Sequence, residues 1–358
     1  MQENTILTKY PTYIVPERYP ISAPRHAVTN GVSVFGAFDD VIADVNLDEA
    51  RRPLGLALPR FFNNSRIKEW EAYEVSFDEG FICGAIYDMG ELVFNVLIFY
   101  DREAKTVQAN QIFGIPRKCV ANSLYNTVNH LKTGDFEGRI ENHFENGKVK
   151  IDCRYAPKAK GKLPMATDLS FTQCAPHGVT VMPLGENRPL YTLKGFFRAE
   201  GTISIGDRIF KMNERSTGII DDHKGYYPRH AHYDWVTAMG SKNGSPLGIN
   251  LCKNQALDGE KYCENIMWLN GGLHLLPPVE FVHENDRLWH VFDPKHGAVD
   301  LRFKIDDHYR LHKGLGGISS DYAAPYGVVE GFALDNDGNK IMLDGLLGMG
   351  EDIYYNYI

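Results

Sequence analysis

The chain has 358 residues, more than one hydrophobic core ordinarily serves, which predicts two packed domains or one unusually large one. Its 43% hydrophobic and 23% charged residues are those of a globular protein, and a formal charge of −8 without a dense Lys/Arg stripe argues against a nucleic-acid partner. No run approaches the roughly 18 apolar residues of a membrane span, the N-terminus lacks a basic start followed by an apolar stretch, and the six cysteines show no CxxC spacing. These features predict a cytoplasmic protein with no disulfide framework and no structural zinc. No Gly-rich nucleotide loop follows a strand, so no cofactor is expected.

Residues 1–27 are proline-rich and aperiodic, which predicts an extended arm on the surface or over a barrel opening. From there alternation dominates. Gly80 to Tyr100 holds two apolar runs broken at Asp88 to Glu91, the pattern of a hairpin with a doubly buried strand. Residues 136–155 form a second hairpin around Asn146-Gly147, one of the strongest short turn signals. Cys119 to Lys132, with Val120, Leu124, Val128 and Leu131 in a stripe, is read as a short helix. Later hairpins follow at Gly206-Asp207 and Asp337-Gly338, and residues 298–306 alternate strictly. Many short strands and few helix patterns predict an all-β fold of the sandwich or barrel class. The Pro/Gly passage at 175–189 is taken as the boundary, giving a first β domain at 28–188 and a second at 189–358.

Gly218 to Ala238 concentrates the groups able to move a proton or hold an apolar ligand. Protonating a C=C needs an acid kept neutral at working pH, and a carboxyl in an aromatic-lined cavity beside a second carboxylate meets that need. Asp221 is the candidate acid, provided that it converges with Asp222 at a turn; in an extended strand the two would point to opposite faces. His223 is a candidate relay, and Tyr226, Tyr227, Arg229, Tyr233 and Trp235 are candidate binding residues. The same residues also fit a plain turn capped by two aspartates, with the aromatics in the core. His230 and His232 would share a strand face with Asp234, a possible ligand set completed by His223 or Asp222, although no metal is expected. Glu330 shares a strand face with Val328, Phe332 and Leu334, so it is either a second acid or base in a cavity or one half of a salt bridge. Glu69 and Glu71, flanking Trp70, and Lys68 are expected to face solvent.

The chain resembles a bacterial family catalogued as a domain of unknown function, through Arg66 to Glu71, Phe196 to Phe210, Asp221, Gly225 and Pro228 leading to Trp235, Gly248 to Leu251, and Gly327 to Gly331. More distantly it is similar to the carotenoid hydratases, AttH-like proteins and tocopherol cyclases. That resemblance implies two lipocalin-like antiparallel β-barrels with few short helices and a site near or between them. It also implies cofactor-independent hydratase, dehydratase or cyclase chemistry on a hydrophobic terpenoid-like or polyphenolic molecule. In the hydratases the Asp is typically followed by His-Asn, whereas Asp221 here precedes Asp222 and His223. The alternatives are a non-catalytic lipocalin-like binder of a hydrophobic ligand and a metal-dependent hydrolase.

Overall fold

In the computed structural model, which describes residues 13–315 and 318–356, the alternating segments pair into two antiparallel sheets. A short hairpin of β1 (Val28–Thr29) and β2 (Val32–Ser33) and the stub β3 (Gly36–Phe38) precede a meander of β4 (Lys68–Phe77), β5 (Gly80–Asp88), β6 (Val93–Asp101) and β7 (Thr106–Gly114). A second meander follows: β8 (Thr127–Thr133), β9 (Phe136–His143), β10 (Lys148–Tyr155) and β11 (Met165–Gln173). With β12 (Gly178–Pro183), the long β13 (Pro189–Ile205), β14 (Arg208–Lys211) and β15 (Thr217–Gly225), these complete a 13-stranded sheet whose main path is β7-β6-β5-β4-β15-β13-β11-β10-β9-β8. Its ends meet where buried Asn95 of β6 donates to Leu131 O (2.9 Å) and Thr133 Oγ1 (3.2 Å) of β8, so the sheet rolls into a nearly closed barrel.

The second sheet contains β16 (His230–Lys242), β17 (Ser245–Lys253), β18 (Ile266–Leu269), β19 (Gly272–Leu275), β20 (Glu280–Asn285) and β21 (Leu288–Phe292). It is completed by β22 (Val299–Leu315), β23 (Ile318–Leu334), β24 (Lys340–Met342) and β25 (Leu346–Asn356). Its path, β19-β18-β17-β16-β25-β23-β22-β21-β20, is an open half-barrel. Curvature in the longest strands is set by glycine. Gly201 (φ 115°) and Gly331 (φ 120°) occupy left-hand φ values, and a Cβ there would stand 2.1 Å from Asp168 O and 2.2 Å from Asp300 O.

Two expectations change. The sheets change between Gly225 and His230 rather than at 189, because the Pro/Gly passage builds β12 and the turn into β13, which pair with each other inside the first sheet. Cys119 to Lys132 is a loop running into β8, not a helix. Asn126 takes a positive φ of 48°, which no right-handed helix accommodates, and the apolar stripe is met by loop residues Val120 and Leu124 with strand residue Leu131. The only α-helix among the described residues is Arg60–Asn64. Of the expected N-terminal arm, residues 1–12 lie outside the described residues; Tyr13 is buried and donates to Asp335 O (3.0 Å). Among the described residues no helix is long and apolar enough to cross a membrane.

Three apolar cores result. One fills the barrel, with Tyr73, Leu97, Phe136 and Phe197; another fills the half-barrel, with Val236, Leu301 and Phe303. Between the sheets lies the third, where Trp70, Phe81, Tyr100 and Phe196 meet Trp235, Trp268 and Tyr326. Burial of each such side chain contributes about 1.5–3 kcal/mol, so the two sheets are held as one body. A bulge between Ile305 and Asp307 of β22 turns Asp306 toward the barrel, where it accepts from Tyr100 Oη (2.6 Å) and pairs with Lys105 Nζ (3.0 Å).

Candidate functional site

Alternation along β15 decides what the central aspartates do. Ile219, Asp221 and His223 face the second sheet, while Ile220, Asp222 and Lys224 face the barrel interior. Asp221 and Asp222 therefore do not converge. Asp222 lies directly across from Glu71 of β4, both fully inside the barrel, and Glu71 accepts from Asn142 Nδ2 (3.1 Å) and Asn129 Nδ2. Burial, then each carboxylate's charge on its neighbours, pushes Glu71 up to about 8; burial pushes Asp222 up to about 6, against the pull of Lys224. Lys68, Glu69 and Glu71, expected to face solvent, are buried, because β4 has the second sheet on one side and the barrel's polar lumen on the other. Lys224 Nζ reaches Glu69 Oε2 (3.3 Å) in that lumen.

Facing the second sheet, Asp221 accepts from Lys194 Nζ of β13 at 2.5 Å. Lys194 also stands 3.6 Å from Glu264 Oε2, and His223 Nε2 lies 3.3 Å from Asp221 Oδ1 and 3.5 Å from Glu264 Oε2. Thr192 Oγ1 donates to Glu264 Oε2 (2.9 Å) and lies 2.9 Å from His223 Nε2, which Lys194 Nζ also approaches at 3.1 Å; His223 Nδ1 faces Tyr227 Oη at 3.3 Å. Burial works against the Lys194 charge, yet the Asp221 and Glu264 carboxylates hold it above the ordinary lysine range. Burial likewise works against Glu264, but Lys194, His223 and Thr192 hold it well below the usual carboxylate range. The cluster is thus an ion-paired base with a histidine at its edge.

Two further carboxyls complete it. Glu351 of β25 is pushed up to about 7 by burial, with Asp221 raising it and a hydrogen bond from Tyr322 Oη (2.8 Å) lowering it. Glu74 of β4 is driven well above its ordinary range by burial and by Asp221, and its Oε2 receives no hydrogen bond among the described residues. A void of about 30 Å³ lies among Glu74, Asp221, His223, Glu351, Tyr233 and Trp235, enough for about one or two waters.

Beside this polar end is an apolar cavity of about 370 Å³, lined by Leu92, Phe94, Val96, Tyr309, Tyr322 and Tyr355 among others, and joined to the polar end through Tyr87, which borders both. Aromatic rings connect the two. His223 stacks on Trp70 (centroids 4.7 Å, 6°), Trp70 neighbours Tyr87 (5.7 Å), Tyr87 stacks on Phe94 (4.3 Å), and Phe94 meets Phe113 (5.3 Å) at the exposed rim. A cation formed along this path would lie against ring faces, each contact contributing about 0.5–2 kcal/mol.

Of the residues expected from sequence, Asp221, His223, Tyr227, Tyr233 and Trp235 come together at the polar end. Asp222 is on the other side of β15. Tyr226 belongs to the barrel core, its hydroxyl donating to Leu47 O (3.2 Å), because it continues the inward row of β15. Arg229 is solvent-exposed in the turn before β16. Glu330 is not a cavity acid: it is half-exposed and paired with Lys304 (2.6 Å) on the outer face of β23, the salt-bridge alternative. His230 is exposed and bonded to Asn356 Oδ1, so it does not join His232. Sequence reasoning missed Lys194, Glu264, Glu74 and Glu351, which come from four different strands or loops. The available signal was a lone charge inside an apolar run, as in Leu190 to Phe197.

The chain belongs to the DUF2804 family, described as a domain of unknown function, whose profile matches residues 31–357. No curated protein matches its sequence. Among solved structures it is similar to CghA with Sch210972 (8% identity, covering 96% of this chain and 98% of that one, TM-score 0.51). It is also similar to an AttH-like protein from Nitrosomonas europaea (14%, 85% and 97%, TM-score 0.50) and to kievitone hydratase from Nectria haematococca (10%, 81% and 88%, TM-score 0.49). At these identities the likeness to the first two bears on the fold alone, an all-β chain of one nearly closed barrel and one half-barrel.

Proposed function

We propose that this chain is a cofactor-independent lyase or isomerase that hydrates, dehydrates or cyclises a hydrophobic small molecule, terpenoid-like or polyphenolic, at a C=C or an alcohol. The observation that carries the reading is the position of Glu351, a carboxyl pushed up to about 7 between an ion-paired base cluster and an apolar cavity. A neutral carboxylic acid shielded from bulk water is the group that alkene protonation requires.

In hydration, the Glu351 proton passes to an alkene carbon and the π pair forms the new C–H bond. A water at the polar end supplies its lone pair to the resulting cation, and its surplus proton is taken by His223 or Asp221 and returned to Glu351. Dehydration runs the same steps backwards; attack by a second C=C in place of water closes a ring and leaves a new cation, which loses a C–H proton to His223 or Asp221 to form a C=C, and that proton returns to Glu351. Asp221, first read as the acid, is reassigned here to the base side, because it is ion-paired with Lys194 at 2.5 Å.

The test is mass spectrometry of a cell extract incubated with wild type, Glu351→Gln or Asp221→Asn. A compound that gains or loses one water, or isomerises at constant mass, with wild type alone supports the proposal. If all three proteins enrich one unaltered hydrophobic molecule, the chain is a binder and the enzyme reading fails.

A further inference from the structure

On the opposite face of β16 and β25 from Glu351, three side chains converge inside the half-barrel. Tyr233, Trp235 and Glu351 face the first barrel, so by alternation His232, Asp234 and Asp352 face the other way, in the row that continues to core residues Val236 and Ala238. Asp234 and Asp352 are direct cross-strand partners. Two like charges placed opposite each other on one sheet face repel, and they persist only where something positive lies between them.

The neighbouring lysine does not fill that role. Lys253 is the partner of Asp234 on β17, but its amine is paired with Glu280. What faces the two carboxylates is imidazole. His232 Nε2 stands 3.8 Å from Asp234 Oδ2 and 3.6 Å from Asp352 Oδ1, and one ligand atom from each of the three residues fits within 4.8 Å of the others. Ligands about 2.0–2.2 Å from a shared ion stand on the order of 3–3.5 Å apart, so the two His232–carboxylate spacings need to close by only a few tenths of an ångström, while the widest spacing in the set, up to 4.8 Å, closes by more than about 1 Å.

A second observation is independent of that spacing. His232 Nε2, Asp234 Oδ1 and Asp352 Oδ1 are all hidden from water, and none receives or gives a hydrogen bond among the described residues. The Asp234 side chain is only 9% exposed. Buried polar atoms are nearly always satisfied, and here one on each of the three residues is not, even though His283 approaches Asp234 Oδ1 at 3.0 Å and Asp352 Oδ2 at 3.7 Å. The surrounding rings hold the set in place: His232 stacks on Tyr354 (4.0 Å), and His283 of edge strand β20 stacks on Trp289 (4.1 Å) with its Nε2 3.0 Å from Asp234 Oδ1, an ion-pair distance without hydrogen-bond alignment.

We propose that His232, Asp234 and Asp352 bind one divalent transition-metal ion at the open end of the half-barrel, with His283 orienting Asp234 from outside. One imidazole and two carboxylates suit zinc and its first-row neighbours better than calcium or magnesium, whose sites are all oxygen. His283 comes from the far edge of the sheet, so the ion would clasp β20 to β16 and β25 and stiffen the strand pair that carries Tyr233, Trp235 and Glu351.

The experiment uses tag-free full-length protein, stripped with chelator and dialysed against zinc, with bound metal counted by elemental analysis and affinity measured by chelator competition. Expected is one zinc per chain, weakened by more than about 100-fold in His232→Ala and in Asp352→Asn and by about 10–100-fold in His283→Ala. Cobalt(II) should give visible absorption in wild type that both ligand variants lack. Asp352→Asn relieves the charge repulsion, so without metal it should melt no lower than wild type, and zinc should raise the melting temperature of wild type only. Substoichiometric zinc in wild type, or equal binding by His232→Ala and Asp352→Asn, would overturn the proposal.

Discussion

Tyr322 Oη donates a 2.8 Å hydrogen bond to Glu351 Oε1, joining the wall of the apolar cavity to the polar cluster behind it. The two belong to adjacent strands, β23 and β25, so the link is fixed by the sheet itself. Tyr322 stabilises the charged form of Glu351 and burial opposes it. Tyr322→Phe should therefore raise the Glu351 pKa above about 7 and move the high-pH limb of the activity profile upward, a shift read from kcat/KM against pH.

Replacing the acid itself has a different signature. Glu351→Gln keeps the volume and the Tyr322 contact but cannot give up a proton, so kcat should fall by about 10²–10⁴ while ligand affinity is largely kept. Turnover assays with parallel binding titrations separate the two effects.

Lys194 tests the ion-paired base. It is 2% exposed and faces Asp221 and Glu264, so Lys194→Met leaves two carboxylates buried without their cation. The expected loss is about 3–5 kcal/mol in urea unfolding, with part of it recovered when Asp221→Asn and Glu264→Gln are added.

The buried carboxyls of the barrel lumen and of the cluster between the sheets predict a pH dependence of stability. Glu71, Asp222 and Glu351 keep protons in the folded state up to about 8, 6 and 7, whereas in the unfolded chain they release them near 4. The folded state binds more protons across that window, so these groups stabilise fully at low pH and their contribution is lost as pH rises through 6 to 8. Glu264 runs the other way, but only on acidification below the ordinary carboxylate range. Glu71→Gln should flatten the decline seen in urea midpoints between pH of about 5 and 8.

Much of the fold could be read directly from the residues. The hairpins at β5–β6 and at β9–β10, with Gly147 at φ 61°, follow from apolar runs broken by turn residues. The site was legible only in part, because period-2 alternation tells which residues share a face but not what that face meets. Glu69 and Glu71 look solvated, yet their side of β4 is a polar lumen, and Lys68, on the other face with Trp70, is buried and paired with Glu91. Asp221 and Asp222 look like a pair, yet the strand separates them. Lys194, Glu264, Glu74 and Glu351 are brought together by pairing between distant strands and by contact between the two sheets, and no local pattern encodes either.

Difference infrared spectroscopy of wild type against Glu351→Gln, titrated across neutral pH, tests the central claim most directly, because it observes the Glu351 proton without knowledge of the substrate. The account predicts a protonated carboxyl band at pH 6 that is absent from the variant and disappears with a midpoint of about 7. A Glu351 already ionised at a pH of about 5, close to an ordinary carboxylate, would contradict it.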